Sequence, residues 1–125
     1  MILTCLIIDN DPLNINILEY YINKTERIKL IDKSADLLDM VQIINAGQIH
    51  IVFMDINIDG IENWLLDDIF QKEITYVFVT KYPREYITDI LPDGFSNSGY
   101  LFKPVSFTLF TQEINRIRKL YIPSS

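Results

Sequence analysis

The chain has 125 residues, 49% hydrophobic and 22% charged, with 17 acidic against 11 basic residues and a formal net charge of −6. A chain of this length suits one domain that hides about two-thirds of its unfolded surface, so neither a metal nor a disulfide is needed to hold a core. The composition is too apolar for a disordered segment, and the acidic excess repels phosphate backbones, which excludes nucleic-acid binding by this segment alone.

The elements alternate along the chain. Ile2–Ile8 is an almost continuous apolar run, the signature of a strand buried on both faces in a parallel sheet. Its single cysteine, Cys5, has no partner for an internal disulfide and is expected as a reduced core residue in a cytoplasmic protein. Asp11-Pro12 reads as a helix start, with Asp as N-cap and Pro at the first helical position, followed by Ile15, Leu18 and Ile22 at helical spacing. A short strand is predicted over Ile28–Ile31. Ser34 is the expected cap of a second helix carrying Leu37, Val41 and Ile44 and ended by Gly47.

Ile51–Met54 forms a third strand stopped by Asp55, and a polar loop leads to a helix with Trp64, Leu65, Ile69 and Phe70. Thr75–Val79 forms a fourth strand ending at Thr80, followed by a short helix around Glu85–Leu91 that Pro92 and Gly94 interrupt. Gly99–Phe102 is the fifth strand, ending at Lys103-Pro104, and a last helix carries Phe110, Ile114, Ile117 and Tyr121 on one face. Five (βα) units imply an α/β, doubly wound parallel sheet, and right-handed crossovers make the flavodoxin-like strand order 2-1-3-4-5 the best fit to the length. Residues 1–122 are read as one domain, with 123–125 as a polar tail or the start of a linker. No apolar stretch reaches the roughly 18 residues of a membrane span, and no basic signal-peptide start is present, so a soluble cytoplasmic domain without membrane contact is expected.

In such sheets ligands bind beyond the carboxyl ends of the strands. Asp9, Asn10 and Asp11 follow the first strand, Asp55 the third, Thr80 the fourth and Lys103 the fifth, so carboxylates, an amide, a hydroxyl and an ammonium converge on one edge. Carboxylates with an amide or carbonyl oxygen suit a hard cation such as Mg²⁺. A carboxylate beside that cation can attack a phosphoryl group and form an aspartyl phosphate, with the lysine and the hydroxyl neutralising the phosphoryl oxygens.

Four segments carry a resemblance: Ile7-Ile8-Asp9-Asn10-Asp11-Pro12, Val52-Phe53-Met54-Asp55-Ile56-Asn57, Val77-Phe78-Val79-Thr80 and Tyr100-Leu101-Phe102-Lys103-Pro104. In this order and spacing the chain resembles, over nearly its whole length, the receiver domain of bacterial two-component response regulators. The resemblance implies a phosphoacceptor at Asp55, an acidic pocket with Asp9, and a Mg²⁺ ion held by Asp9, Asn10, Asp55 and the backbone carbonyl of Asn57. It implies Thr80 and Lys103 as phosphoryl contacts, a cis Lys103–Pro104 bond that aims the lysine inward, and Tyr100 as the aromatic that changes rotamer with Thr80. It further implies a sensor histidine kinase as partner and a homodimer through the fourth helix, fifth strand and fifth helix. No enzymatic turnover is implied beyond gain and loss of the phosphoryl group. The opening Asp-Asn-Asp-Pro-Leu, with Tyr82 and Glu85-Tyr86, is similar to receivers joined to LytTR-type DNA-binding domains.

The sequence departs from that pattern at several positions. Asn10 stands where the family has a second acid, which lowers the nearby protein charge at the ion from about −3 to about −2 and should weaken Mg²⁺ binding. Lys81 follows Thr80 where a small residue is usual; it either projects into solvent, the reading preferred here, or lies over the pocket. Asp59 and Asn63 replace a proline and a glycine of the loop after the phosphoacceptor. His50, at the start of the third strand, reads as a boundary residue. Two alternatives stand beside the receiver: a degenerate receiver independent of phosphorylation, suggested by Asn10 and Lys81, and a haloacid-dehalogenase-like phosphatase with Asp9 as nucleophile.

Overall fold

A computed structural model describes residues 1–55, 73–85 and 98–121. The loop and helix predicted between Asn57 and Phe70, the Glu85–Leu91 helix beyond its first residue, and the tail at 123–125 lie outside the described residues. The dimer face is described only in part, because the fourth helix is among them.

Strands β1 (Leu3–Ile8), β2 (Ile28–Ser34), β3 (Ile51–Met54), β4 (Thr75–Thr80) and β5 (Gly99–Phe102) form one sheet in the order β2-β1-β3-β4-β5, as expected. All four pairings are parallel. Successive side chains of a strand point to opposite faces, and the two faces bury separate cores. Leu6, Ile8, Val52, Met54, Tyr76 and Phe78 face Leu37, Met40 and Ile44 on one side. Cys5, Ile7, Phe53, Val77, Val79 and Leu101 face Leu18, Ile22, Phe110, Ile114 and Ile117 on the other. Burial on both faces is why β1, β3 and β4 read as nearly continuous apolar runs, and it pushes the Cys5 thiol up to about 12.

Helix α1 (Pro12–Asn23) begins as predicted. Asp11 is its N-cap, accepting from Leu13 N at 3.1 Å, and Pro12 occupies its first turn. The C-terminal helix (Phe107–Tyr121) buries Phe110, Ile114 and Ile117 at the expected spacing, and the rings of Phe53 and Phe110 lie 5.8 Å apart. Gly47 ends the second helical segment with φ +82°, donating to Ile44 O at 3.2 Å, as a residue free of a Cβ can do.

Several boundaries differ from expectation. β1 starts at Leu3, with Ile2 exposed beside it. β2 runs to Ser34, three residues past its predicted end, because an edge strand keeps backbone pairing while exposing Lys29, Asp32 and Lys33. Pairing continues there through a register shift between Cys5 and Leu6. Ser34 therefore belongs to the strand, and the cap passes to Asp36, which accepts from Leu38 N at 2.9 Å. The helix it caps opens as a 3₁₀ turn over Leu37–Met40 before α2 (Val41–Asn45). His50 sits at the opposite end of the sheet from the strand carboxyl termini, where its Nδ1 accepts from Thr4 N at 3.0 Å and its ring meets Tyr121 edge-on at 5.1 Å. Among the described residues no helix is long and apolar enough to cross a membrane.

Candidate functional site

Asp9 is the first residue past β1 and is only 1% exposed. Its backbone N–H reaches Ser34 O at 3.0 Å, which fixes the chain where it leaves the sheet. Its carboxylate closes the turn into α1: Oδ1 accepts from Asp11 N at 2.8 Å, and Oδ2 from Asn14 Nδ2 at 2.6 Å. Asn14, 3% exposed, was missed by the sequence reading. The missed signal is the helical stripe itself, for Asn14, Leu18 and Ile22 are the buried residues of α1 and Ile15 is only partly so. A buried amide one turn before Leu18 needs a partner, and Asp9 is that partner. Asn14→Ala is expected to cost about 2 kcal/mol, the range for a bond to a charged group, read as a lower urea midpoint.

Asp55 directly follows β3, and its N–H continues the sheet ladder to Ile8 O at 3.0 Å. Lys103 directly follows β5, its N–H held by Thr80 O at 2.9 Å, and the Lys103–Pro104 bond is cis. These three strand ends bring together one ion cluster. Lys103 Nζ lies 2.8 Å from Asp55 Oδ2, 3.2 Å from both oxygens of Asp9 and 3.8 Å from Asp11 Oδ2. The lysine side chain is 7% exposed, and Asp55 is 5% exposed, so these charges are partly withdrawn from water, and the lysine is shared among the carboxylates.

Burial pushes the Asp9 carboxyl above its usual range, against the Asp11 amide, the Lys103 ammonium and Asn14, which hold it down; the nearby Asp55 charge adds to the rise. For Lys103, burial works against the charged form, but Asp55 and Asp9 outweigh it and hold the ammonium above its ordinary value. The signs differ in their consequence for stability. Lys103 contributes stability that is fully present below 10.5, the ordinary lysine value, and is lost as pH rises through its raised value. Ionised Asp9 costs stability above its raised value, and the cost is relieved as pH falls through it toward 3.8. In metal-free buffer, the urea midpoint of the wild type is therefore expected to gain on that of Asp9→Asn between about pH 7 and about pH 4. A change in the opposite direction would show that attraction to Lys103 outweighs burial.

Beside the cluster opens a cleft of about 370 Å³ lined, among the described residues, by Asn10, Asp11, Pro12, Asp55, Lys81 and Lys103. Asp9 does not line it. Lys81 is exposed, in line with the solvent reading, and it also lines the cleft. Thr80 ends β4 with its side chain buried, and its hydroxyl accepts from Tyr82 N at 3.1 Å rather than lining the cleft. Tyr100, partly buried on β5, lies 6.2 Å from the Phe78 ring and beneath the Arg84 guanidinium at 4.9 Å. Asn57 lies outside the described residues.

Among the described residues no group of three or more His, Cys, Asp or Glu side chains is placed to hold a metal ion. Magnesium asks for less: it keeps several waters and takes one or two carboxylates together with phosphate oxygens. Asp55 and Asn10 both line the cleft and Asp9 shares Lys103 with Asp55, so oxygen donors of the kind it takes stand together and the donor chemistry fits it.

No protein-family model matches the chain, and no curated protein matches it. Solved structures do. A signal receiver domain of an HD domain-containing protein from Pseudomonas fluorescens Pf-5 is similar at TM-score 0.78 and 14% identity, covering 95% of this chain and 96% of that one. The response regulator domain of Thermotoga maritima CheB is similar at TM-score 0.72 and 18% identity, covering 99% and 100%. The BeF3-activated conformation of SdrG from Pseudomonas melonis Fr1 is similar at TM-score 0.66 and 18% identity, covering 90% and 92%. With the 2-1-3-4-5 parallel sheet and helices against both faces, the chain has the flavodoxin-like receiver fold of response regulators.

Proposed function

We propose that this chain is a phosphoacceptor receiver that takes a phosphoryl group on Asp55 from a histidine kinase. The observation that carries the reading is the placement of Asp55: on the cleft wall, with its carboxylate 2.8 Å from the Lys103 ammonium. In the transfer, an Asp55 carboxylate oxygen forms a bond to phosphorus as the phosphorus–nitrogen bond of a phosphohistidine breaks, and the electron pair stays on the imidazole nitrogen. Lys103 is held where it can meet the phosphoryl oxygens, and Asp9, fixed by Asn14 and the Asp11 amide, holds Lys103. Asp9, Asn10, Asp55 and the backbone carbonyl of Asn57 would hold Mg²⁺, which when bound supplies charge neutralisation for the phosphoryl group. Asn10, being uncharged, weakens that binding. Thr80 then donates its hydroxyl proton to the phosphoryl group, Tyr100 moves with it, and the face including β5 and the C-terminal helix changes for dimerisation or output.

The rival with Asp9 as nucleophile, a phosphatase of the haloacid-dehalogenase type, has less support. Asp9 is off the cleft wall, and both its oxygens already accept hydrogen bonds. The degenerate receiver draws on the Lys103 cluster, which satisfies Asp55 with no added ion. Incubation with acetyl phosphate, or with beryllofluoride, at millimolar Mg²⁺ separates these readings. The expected result is gain of one phosphoryl group by intact mass and a shift of the Tyr100 and Thr80 resonances. No mass gain and no spectral change would leave the degenerate receiver.

A further inference from the structure

The cleft holds two lysines in different states. Lys103 is committed to Asp55, Asp9 and Asp11 and is nearly excluded from solvent. Lys81 lines the same cleft, is exposed, and makes no hydrogen bond or ion pair with the described residues. The described side chains around the cluster carry Asp9, Asp11 and Asp55 against these two cations, a balance that is negative even with Lys81 and more so without it. A phosphoryl donor is itself an anion and must approach that negative wall. Lys103 cannot reach out to it without abandoning the buried carboxylates. Lys81 can, because it sits at the mouth with a flexible stem and a charge that is not already spent.

We propose that Lys81 is a recruiting residue for the phosphoryl group, meeting the oxygens of an incoming phosphoryl donor at the cleft mouth and drawing them toward Asp55. This deepens the Asp55 reading and rests on it for the covalent step, but not for the binding of the anion. It assigns Lys81 a role in how fast donor arrives, leaving the ion cluster beneath unchanged.

The test has two arms on the same intact chain. In the first, the second-order rate with acetyl phosphate is compared between wild type and Lys81→Gln at low and high potassium chloride. Expected is a rate about tenfold lower in the variant at low salt, a gap that closes at high salt, and near-wild-type behaviour for Lys81→Arg. In the second, inorganic phosphate is titrated into both proteins while backbone amide resonances of Asn10, Asp55 and Lys81 are followed. Expected is weaker binding in Lys81→Gln. A variant that reacts as fast as wild type or faster, with the same salt dependence, overturns the proposal; the faster case would make Lys81 a barrier. Equal phosphate binding by both proteins, or none by either, also overturns it. A wild type that gains no phosphoryl group yet binds phosphate through Lys81 would sink the Asp55 reading and leave this one standing.

Discussion

Replacing Asp55 by Asn is expected to abolish phosphoryl gain from acetyl phosphate while leaving the fold intact. Nucleophilic attack needs a carboxylate oxygen, and the neutral amide oxygen at that position is too weak a nucleophile to displace the leaving acetate. The structural cost is small because the change removes a buried charge along with its attraction to Lys103, which keeps Asp9 at 3.2 Å and Asp11 at 3.8 Å. A loss of about 1 kcal/mol in a urea titration is the scale expected for one such bond with its desolvation relieved. Intact mass after acetyl phosphate treatment decides the chemistry, and a parallel Asp9→Asn sample decides between nucleophiles. Retained phosphoryl gain, or steady hydrolysis of a phosphate ester, in Asp55→Asn but not in Asp9→Asn would move the nucleophile to Asp9.

The sheet was legible because its central strands obey a single rule. A strand covered on both faces is mostly apolar at successive positions, and β1, β3 and β4 are buried almost throughout, with threonine as the one polar type they admit at Thr4, Thr75 and Thr80. β2 escaped the same rule because it is an edge strand: Ile28 is buried, while the polar residues after it stay exposed and are held by backbone pairing that leaves no mark in hydropathy. Its length then displaced the helix cap from Ser34 to Asp36, two residues that serve equally well as caps in sequence.

At the site, the strand-end residues were placed by the fold alone. Asp9, Asp55 and Lys103 meet because three parallel strands end at one edge, and each is the first residue past its strand. What sequence could not supply is which oxygens each carboxylate has left. Asp9 looked like a free pocket acid; Asn14, on the buried face of α1, takes one of its oxygens and the Asp11 amide another. Thr80 looked like a hydroxyl aimed at the cleft, but the turn after β4 brings Tyr82 N–H onto it first. Lys81 looked like a solvent residue, and it is exposed, but nothing local to Thr80-Lys81-Tyr82 tells that it lines the same cleft as Asp55.

Replacing Lys103 by Met has the larger expected effect on stability. Methionine fills the volume but removes the ammonium that, among the described residues, Asp9 and Asp55 share; the two acids are 1% and 5% exposed. Removing one partner of a buried ion cluster leaves uncompensated charge, and a loss of about 3 kcal/mol is expected. The loss should depend on pH with a defined sign. Without the ammonium that holds it down, the Asp9 carboxyl keeps its proton more tightly in the folded state, so the variant should recover toward wild type as pH falls and fall furthest behind above neutrality. Phosphorylation should drop by about 100-fold or more, the scale seen when one preorganised donor to a developing oxyanion is removed. Lys103→Arg separates the two effects, because it restores charge while its planar fork cannot reproduce contacts from a single nitrogen to both carboxylates. Arginine should rescue much of the stability and little of the transfer rate. A methionine variant as stable as wild type from about pH 4 to above neutrality would mean that the contacts of Lys103 with Asp9 and Asp55 add nothing net to the fold, and that the lysine is kept for the transfer alone.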